Sequence, residues 1–279
     1  MPKFSSEKDP IRPLFFFFVF SFLALALLFY WTPLAGSYTE VARGLVFSSA
    51  PVLAFVTGIF AVKKQGLKTS RGKTLLILTL GIMCWMIGEG LWTYYDIGLH
   101  VDPFPSIADL FYVLAYPLFF IGLLKAVCEQ CVEFKKVSKV LLFSLFINSL
   151  LICLVVAYFG IYRAYTPENS FAENAFALGY GVGDLALIVV NFFVFFMAWE
   201  ERAKAATSAW FYFFCAIWMT LLGDILFALF EVEHAEKMWP YFQSIDSIWI
   251  LSYLYFAASF FEFRLGAQEK KSKRFRLLA

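Results

Sequence analysis

The chain has 279 residues, of which 61% are hydrophobic and only 16% charged, with a mean hydropathy of +0.73. Soluble domains carry about a quarter of their residues as Asp, Glu, Lys and Arg, so this composition excludes an ordinary soluble fold and predicts an all-α integral membrane bundle. The near-neutral net charge of +2 hides a strong asymmetry along the chain. Apolar runs of about 20 residues, enough to cross roughly 30 Å of hydrocarbon as a helix, are read at about 14–34, 42–62, 74–95, 104–126, 140–162, 174–198, 208–231 and 240–263. Lipid offers no partner to backbone N–H and C=O groups, so each run must be helical.

A polar lead precedes the first run, which lacks a small-residue cleavage site and is read as a retained span, not a signal peptide. The connections after the second, fourth and sixth runs and the two tails hold 20 of the 23 Lys and Arg residues, leaving Arg43, Arg163 and Lys237 at the other ends. The positive-inside rule then puts both termini in the cytoplasm, which requires an even number of spans. The opposite loops are acidic, with Glu40, Asp96, Asp102, Glu168, Glu173, Glu231, Glu233 and Glu236. The organisation is a cytoplasmic tail at 1–13, one membrane domain at 14–263 and a basic cytoplasmic tail at 264–279. The basic face attracts anionic lipid and calls for no nucleic-acid partner. The five Cys form no disulfide framework. Cys84, Cys153 and Cys215 lie inside spans as small hydrophobes. Cys128 and Cys131 form a C-x-x-C with no second pair to complete a zinc site.

Two stretches bury acids in the same pattern. Gly88-Glu89 ends one span, and Pro103-Phe104 and Asp109 open the next; Gly223-Asp224 lies in a later span, and Pro240-Tyr241 and Asp246 open the last. An aromatic follows each second acid at +3 (Tyr112, Trp249) and a Tyr at +7 (Tyr116, Tyr253). The two hairpins, about 74–126 and 208–263, therefore read as parallel repeats. The third hairpin echoes them with Gly183-Asp184. At about 1.5 Å per residue, Glu89, Asp109, Asp224 and Asp246 share a layer in the outer half, with Asp184 nearer the midplane. Residues at i, i+3 and i+7 share a helix face, which predicts carboxyls walled by aromatics and facing outward.

A carboxyl inside a span costs roughly 2.5–3.5 kcal/mol and marks a functional site by default. The structural alternative is that Tyr, Trp or backbone donors, or Arg43 and Arg163, simply satisfy these acids and fix helix packing. His100 and His234 fall in the outer loops between the acids of each pair, and outward-facing metal binding by these two residues is a further expectation. No G-x-S-x-G, H-E-x-x-H or P-loop is present, and the last two spans carry no Lys for a retinal Schiff base. The sequence names no particular cofactor, which stays unknown at this stage.

Gly88-Glu89-Gly90-Leu91-Trp92-Thr93-Tyr94-Tyr95, then Pro103-Phe104-Pro105-Ser106-Ile107-Ala108-Asp109-Leu110-Phe111-Tyr112 and Ala115-Tyr116-Pro117-Leu118, resemble the multi-span N-terminal sensory region that precedes bacterial diguanylate cyclase, cyclic-di-GMP phosphodiesterase and histidine kinase domains. Gly183-Asp184-Leu185, Gly223-Asp224-Ile225-Leu226 and Asp246-Ser247-Ile248-Trp249 fit its later spans, so the similarity covers about residues 74–263. The resemblance implies a sensory input module of the bacterial inner membrane. The chain is expected to carry no output domain after residue 263. The expectation is therefore a non-enzymatic sensor-like or ligand-binding protein that acts through a separate protein partner in the membrane or cytoplasm. Its site would be Glu89, Asp109, Tyr112, Tyr116, Asp184, Asp224, Asp246, Trp249 and Tyr253. A proton- or cation-coupled transporter and a structural accessory subunit are the alternatives.

Overall fold

Helix ends in this chain are set by short polar signals between long apolar runs. Gly66, at φ 83°, closes one helix with its N–H on the Val62 carbonyl at 2.8 Å, and three residues later Thr69 Oγ1 accepts the Gly72 N–H at 2.9 Å to start the next. Ser170 and Glu173 form a capping box, with the Ser170 N–H on Glu173 Oε2 at 2.6 Å and the Glu173 N–H on Ser170 Oγ at 3.3 Å. Ser106 and Asp109 make the same kind of start, the Ser106 N–H donating to Asp109 Oδ2 at 2.7 Å.

These signals bound eight long helices in the computed structural model, which describes residues 11–32, 36–130, 139–200, 206–234 and 239–278. They are α1 (Ile11–Trp31), α2 (Thr39–Gln65), α3 (Ser70–Thr93), α4 (Ile107–Gln130), α5 (Lys139–Val156), α6 (Phe171–Glu200), α7 (Ala206–His234) and α8 (Trp239–Leu278). π-helical turns extend α3 over Tyr94–Gly98 and α5 over Ala157–Tyr162. Seven of the helices are long and apolar enough to cross a membrane, and α5 contributes the shorter apolar stretch Phe146–Tyr162. The chain is thus a multi-pass, all-α membrane protein embedded in lipid.

The expected spans correspond to these helices with shifted ends. The first helix stops at Trp31, two residues before Pro33, and the fourth starts at Ile107, not 104. In both places proline disfavours helical conformation in the residue before it. Pro51 and Pro117, by contrast, lie inside continuous α2 and α4. The last helix runs far beyond the expected 263.

Six helices close a ring: α2 packs on α3, α3 on α4, α4 on α6, α6 on α7, α7 on α8, and α8 back on α2. Outside it, α1 leans on α8 and α2, and α5 on α6. Aromatic rings fill the middle. Trp85 lies 4.5 Å from Phe119 between centroids and stands edge-on to Phe256 at 5.9 Å, while Phe213 meets Phe256 at 5.0 Å. The α7–α8 seam is lined by small residues seven apart. Ser259 Oγ donates to the Ala209 carbonyl at 2.8 Å and Ser252 Oγ to that of Ala216 at 3.0 Å, which lets the two backbones approach closely.

The bundle has a tail end, where α1 begins and α8 leaves, and an opposite, loop end. At the tail end Arg12 Nε pairs with the buried Glu262 at 2.8 Å, Gln65 Nε2 donates to the Phe263 carbonyl at 2.9 Å, and Lys125 pairs with Glu129 at 2.7 Å. These contacts fasten α1 and α2 to α8, and Glu129, which also accepts from Ser70 at 2.5 Å, fastens α3 to α4.

Candidate functional site

Three glycine–acid pairs shape the polar layer of the ring. A Cβ on Gly88 would lie 2.8 Å from Tyr112 Cε1, one on Gly183 would overlap the Tyr116 ring, and one on Gly223 would overlap the Trp249 indole. In each case the missing side chain lets an aromatic from a neighbouring helix lie across the backbone. The polar tip of that aromatic then reaches the acid that follows the glycine. Tyr112 OH donates to Glu89 Oε2 at 2.8 Å, Tyr116 OH to Asp184 Oδ1 at 2.8 Å, and Trp249 Nε1 to Asp224 Oδ1 at 2.9 Å.

Glu89 takes a second donor from across the ring, Tyr253 OH on Oε1 at 2.7 Å. Asp224 also lies close enough to Asp184 and to Tyr116 to interact with both electrostatically. Glu89 lies within electrostatic reach of Asp224 and Asp246. One connected cluster therefore draws Glu89 from α3, Tyr112 and Tyr116 from α4, Asp184 from α6, Asp224 from α7, and Trp249 and Tyr253 from α8. Glu89 and Asp184 are buried, and Asp224 is half-buried. Among the described residues no Lys or Arg pairs with any of these three acids.

The remaining two acids stand at the margin of the cluster. Asp109 is fully buried and held twice, by the capping N–H of Ser106 and by Tyr180 OH on Oδ1 at 2.6 Å. Asp246 is half-buried and accepts from Tyr30 OH at 3.0 Å, a bond that pins α1 to the ring. Arg43 spends its side chain on the carbonyls of Phe29 at 2.9 Å and Tyr30 at 3.0 Å, and lies over the Tyr30 ring.

Asp184 interacts electrostatically with Asp224 on the neighbouring α7. The stripe Asp109–Tyr112–Tyr116 divides its labour: the aspartate faces Tyr180, while the two tyrosines serve acids on other helices. His100 is exposed on the loop after α3 with φ 54°. His234 is the last residue of α7 and its side chain lies outside the described residues, as does Cys131. Among the described residues no three His, Cys, Asp or Glu side chains come together as a metal site.

The donors Tyr30 and Tyr180 and the buried Glu262 were not singled out in the sequence. Tyr180 carries a usable signal, since it stands four residues before Asp184 and so on the same face of α6. Tyr30 closes the first apolar run at the depth at which Asp246 opens the last. Glu262 and Arg12 are the nearest opposite charges at the tail-end boundary.

Two cavities lie away from the cluster. A crevice of about 630 Å³ opens at the loop end among Ile161, Tyr162, Arg163, Tyr165, Pro167 and Leu178. An apolar groove of about 180 Å³ runs between α5 and α7 beside Trp218. No family model, no curated protein and no solved structure matches the chain.

Proposed function

We propose that the chain is a non-enzymatic, sensor-like protein of the bacterial inner membrane. Both termini would be cytoplasmic, the loop end would face outward, and signal would pass to a separate protein partner. All eight helices span the bilayer in this reading, and the α3–α4 and α7–α8 hairpins are parallel repeats related by an axis along the membrane normal. The observation that carries the proposal is the cation-free convergence of Glu89, Asp184 and Asp224 on aromatic donors from neighbouring helices. Buried carboxyls held only by phenols and an indole have no fixed counter-ion. A proton or ligand that changes one of them must therefore redistribute hydrogen bonds between helices. Relative tilting of the two hairpins would carry that change to the tail end. The resemblance to sensory membrane regions points the same way.

The test uses distance measurement between spin labels at Cys128 and at Gly266→Cys, with the other cysteines replaced by serine. The full chain is reconstituted in nanodiscs and compared with its Glu89→Gln and Asp184→Asn/Asp224→Asn forms. The proposal expects the neutralised variants to shift the distance distribution toward one of two states present in the parent. Identical single-state distributions in all forms would sink it.

The proximity of Asp184 and Asp224 favours a second reading, a proton-coupled transporter, because neighbouring carboxyls on two helices are the usual element of a proton relay. Proton flux into proteoliposomes that disappears in Asp184→Asn would select this reading over the first.

A further inference from the structure

The crevice at the loop end lies outside the acid cluster and is built differently. Its walls are the end of the π-helical turn after α5 (Ile161, Tyr162), the following loop (Arg163, Tyr165, Pro167) and Leu178 on α6. Its volume of about 630 Å³ falls within the range of small-molecule sites, roughly 300–1,000 Å³. Five of the six lining side chains are apolar or aromatic, and the sixth is a cation. Arg163 has only its backbone N–H engaged, on the Tyr158 carbonyl at 2.9 Å. Among the described residues its guanidinium has no hydrogen-bond or ion-pair partner. Arg163 is the one cation of the segment 157–178, whose acids are Glu168 and Glu173.

A Cβ on Gly181 would overlap the Gly160 carbonyl, so the π-helical turn and α6 touch backbone to backbone one residue before the lining Ile161. Asn174 holds the other side of the loop, donating to the Thr166 carbonyl at 2.8 Å and accepting the Thr166 N–H at 3.0 Å. Interrupted helices of this kind recur at functional sites.

We propose that this crevice binds an amphiphilic anion, a carboxylate or phosphate on an apolar body. The Arg163 guanidinium would take the head group, and Tyr162, Tyr165, Pro167 and Leu178 the body. The inference goes beyond the acid cluster and does not depend on the sensor reading.

The test is saturable binding of a dansyl-labelled fatty acid to the full chain in neutral phosphatidylcholine nanodiscs, beside the methyl ester of the same probe. Arg163→Gln is expected to weaken the carboxylate by about tenfold or more, the loss of one charge-assisted contact, and to leave the ester unchanged. Leu178→Trp, which fills the crevice, should weaken both, with the unfolding transition checked for integrity. Nanodiscs containing phosphatidylglycerol assign the source of the anion. Competition there identifies a lipid head group as the natural occupant, and its absence identifies a free amphiphile. Absence of saturable binding, or equal affinity of Arg163→Gln and the parent for the carboxylate, overturns the proposal. If binding holds while the spin-label distances never respond to the cluster variants, the crevice stands and the sensor reading falls.

Discussion

Replacing Gly183 by alanine tests the architecture of the cluster most directly. The added methyl would collide with the Tyr116 ring near its attachment point, where the side chain cannot swing away. Tyr116 is buried, stands edge-on to Trp85 at 6.2 Å and to Tyr180 at 6.4 Å, and ends on Asp184. Forcing an extra methyl into such a site costs about 1–3 kcal/mol. Losing the interhelical bond to Asp184 adds about 0.6–1.7 kcal/mol. The gain in helix propensity from Gly to Ala, about 0.5–1 kcal/mol, works in the other direction. Gly90 provides the control, because it is exposed and a Cβ there meets nothing within 4 Å. Propensity cancels in the comparison, so Gly183→Ala should unfold about 2–4 kcal/mol more easily than Gly90→Ala. The assay is tryptophan fluorescence during titration from dodecyl maltoside into SDS. In a Tyr116→Ala background the penalty should vanish. Equal midpoints for the two glycine variants, or a full penalty that survives removal of the Tyr116 ring, would refute the reasoning.

Three further outcomes follow from the same contacts. Tyr112→Phe and Tyr253→Phe should each cost about 0.6–1.7 kcal/mol, and the double variant more than the sum, since Glu89 then keeps no donor; the SDS midpoints of the cycle measure this. Arg12→Gln should destabilise by about 1–3 kcal/mol because it strips the buried Glu262 of its ion partner, discounted from the fully buried case since Arg12 is 49% exposed; Arg12→Gln with Glu262→Gln should recover most of the loss. Ser259→Leu should part α7 from α8 at the Ala209 carbonyl and lower the midpoint by about 1–3 kcal/mol, whereas leucine at the exposed Val182 should leave it unchanged.

Class and helix number were legible because they depend on summed hydropathy, which survives local error. The boundaries were less so. Around Pro105 the apolar run continues while α4 begins only at Ile107, so hydropathy overshot. The site was legible in its residue types and not in its pairings. Period-3.6 reasoning put Asp109, Tyr112 and Tyr116 on one face of α4, and a shared face says nothing about which neighbouring helix each tip meets. Tyr112 reaches back to α3 and Tyr116 forward to α6. That choice is made by Gly88 and Gly183, whose importance is steric and becomes visible only once the partner helix is in place.

The chain handles buried acids in two ways, and depth decides between them. At the tail end Glu262 is paired with Arg12, whose half-exposed side chain keeps part of its hydration. An ion pair works there because only one partner is fully desolvated. In the ring's interior a guanidinium would have to be desolvated as completely as the carboxylate, and the penalty for two buried ions can exceed their attraction. A phenol or indole donates one hydrogen bond without importing a charge, so Tyr112, Tyr116, Tyr253 and Trp249 satisfy oxygen atoms at lower desolvation cost. With no fixed cation among them, Glu89, Asp184 and Asp224 would, in the proposed sensor reading, carry a charge set by the number of protons they hold. Each change in that number alters donors on α4 and α8 and acceptors on α3, α6 and α7. In that reading a rearrangement of those bonds would reach every helix that contributes to the cluster. That is why neutralising variants are expected to move the tail ends of α4 and α8, two helices that carry none of the substituted acids.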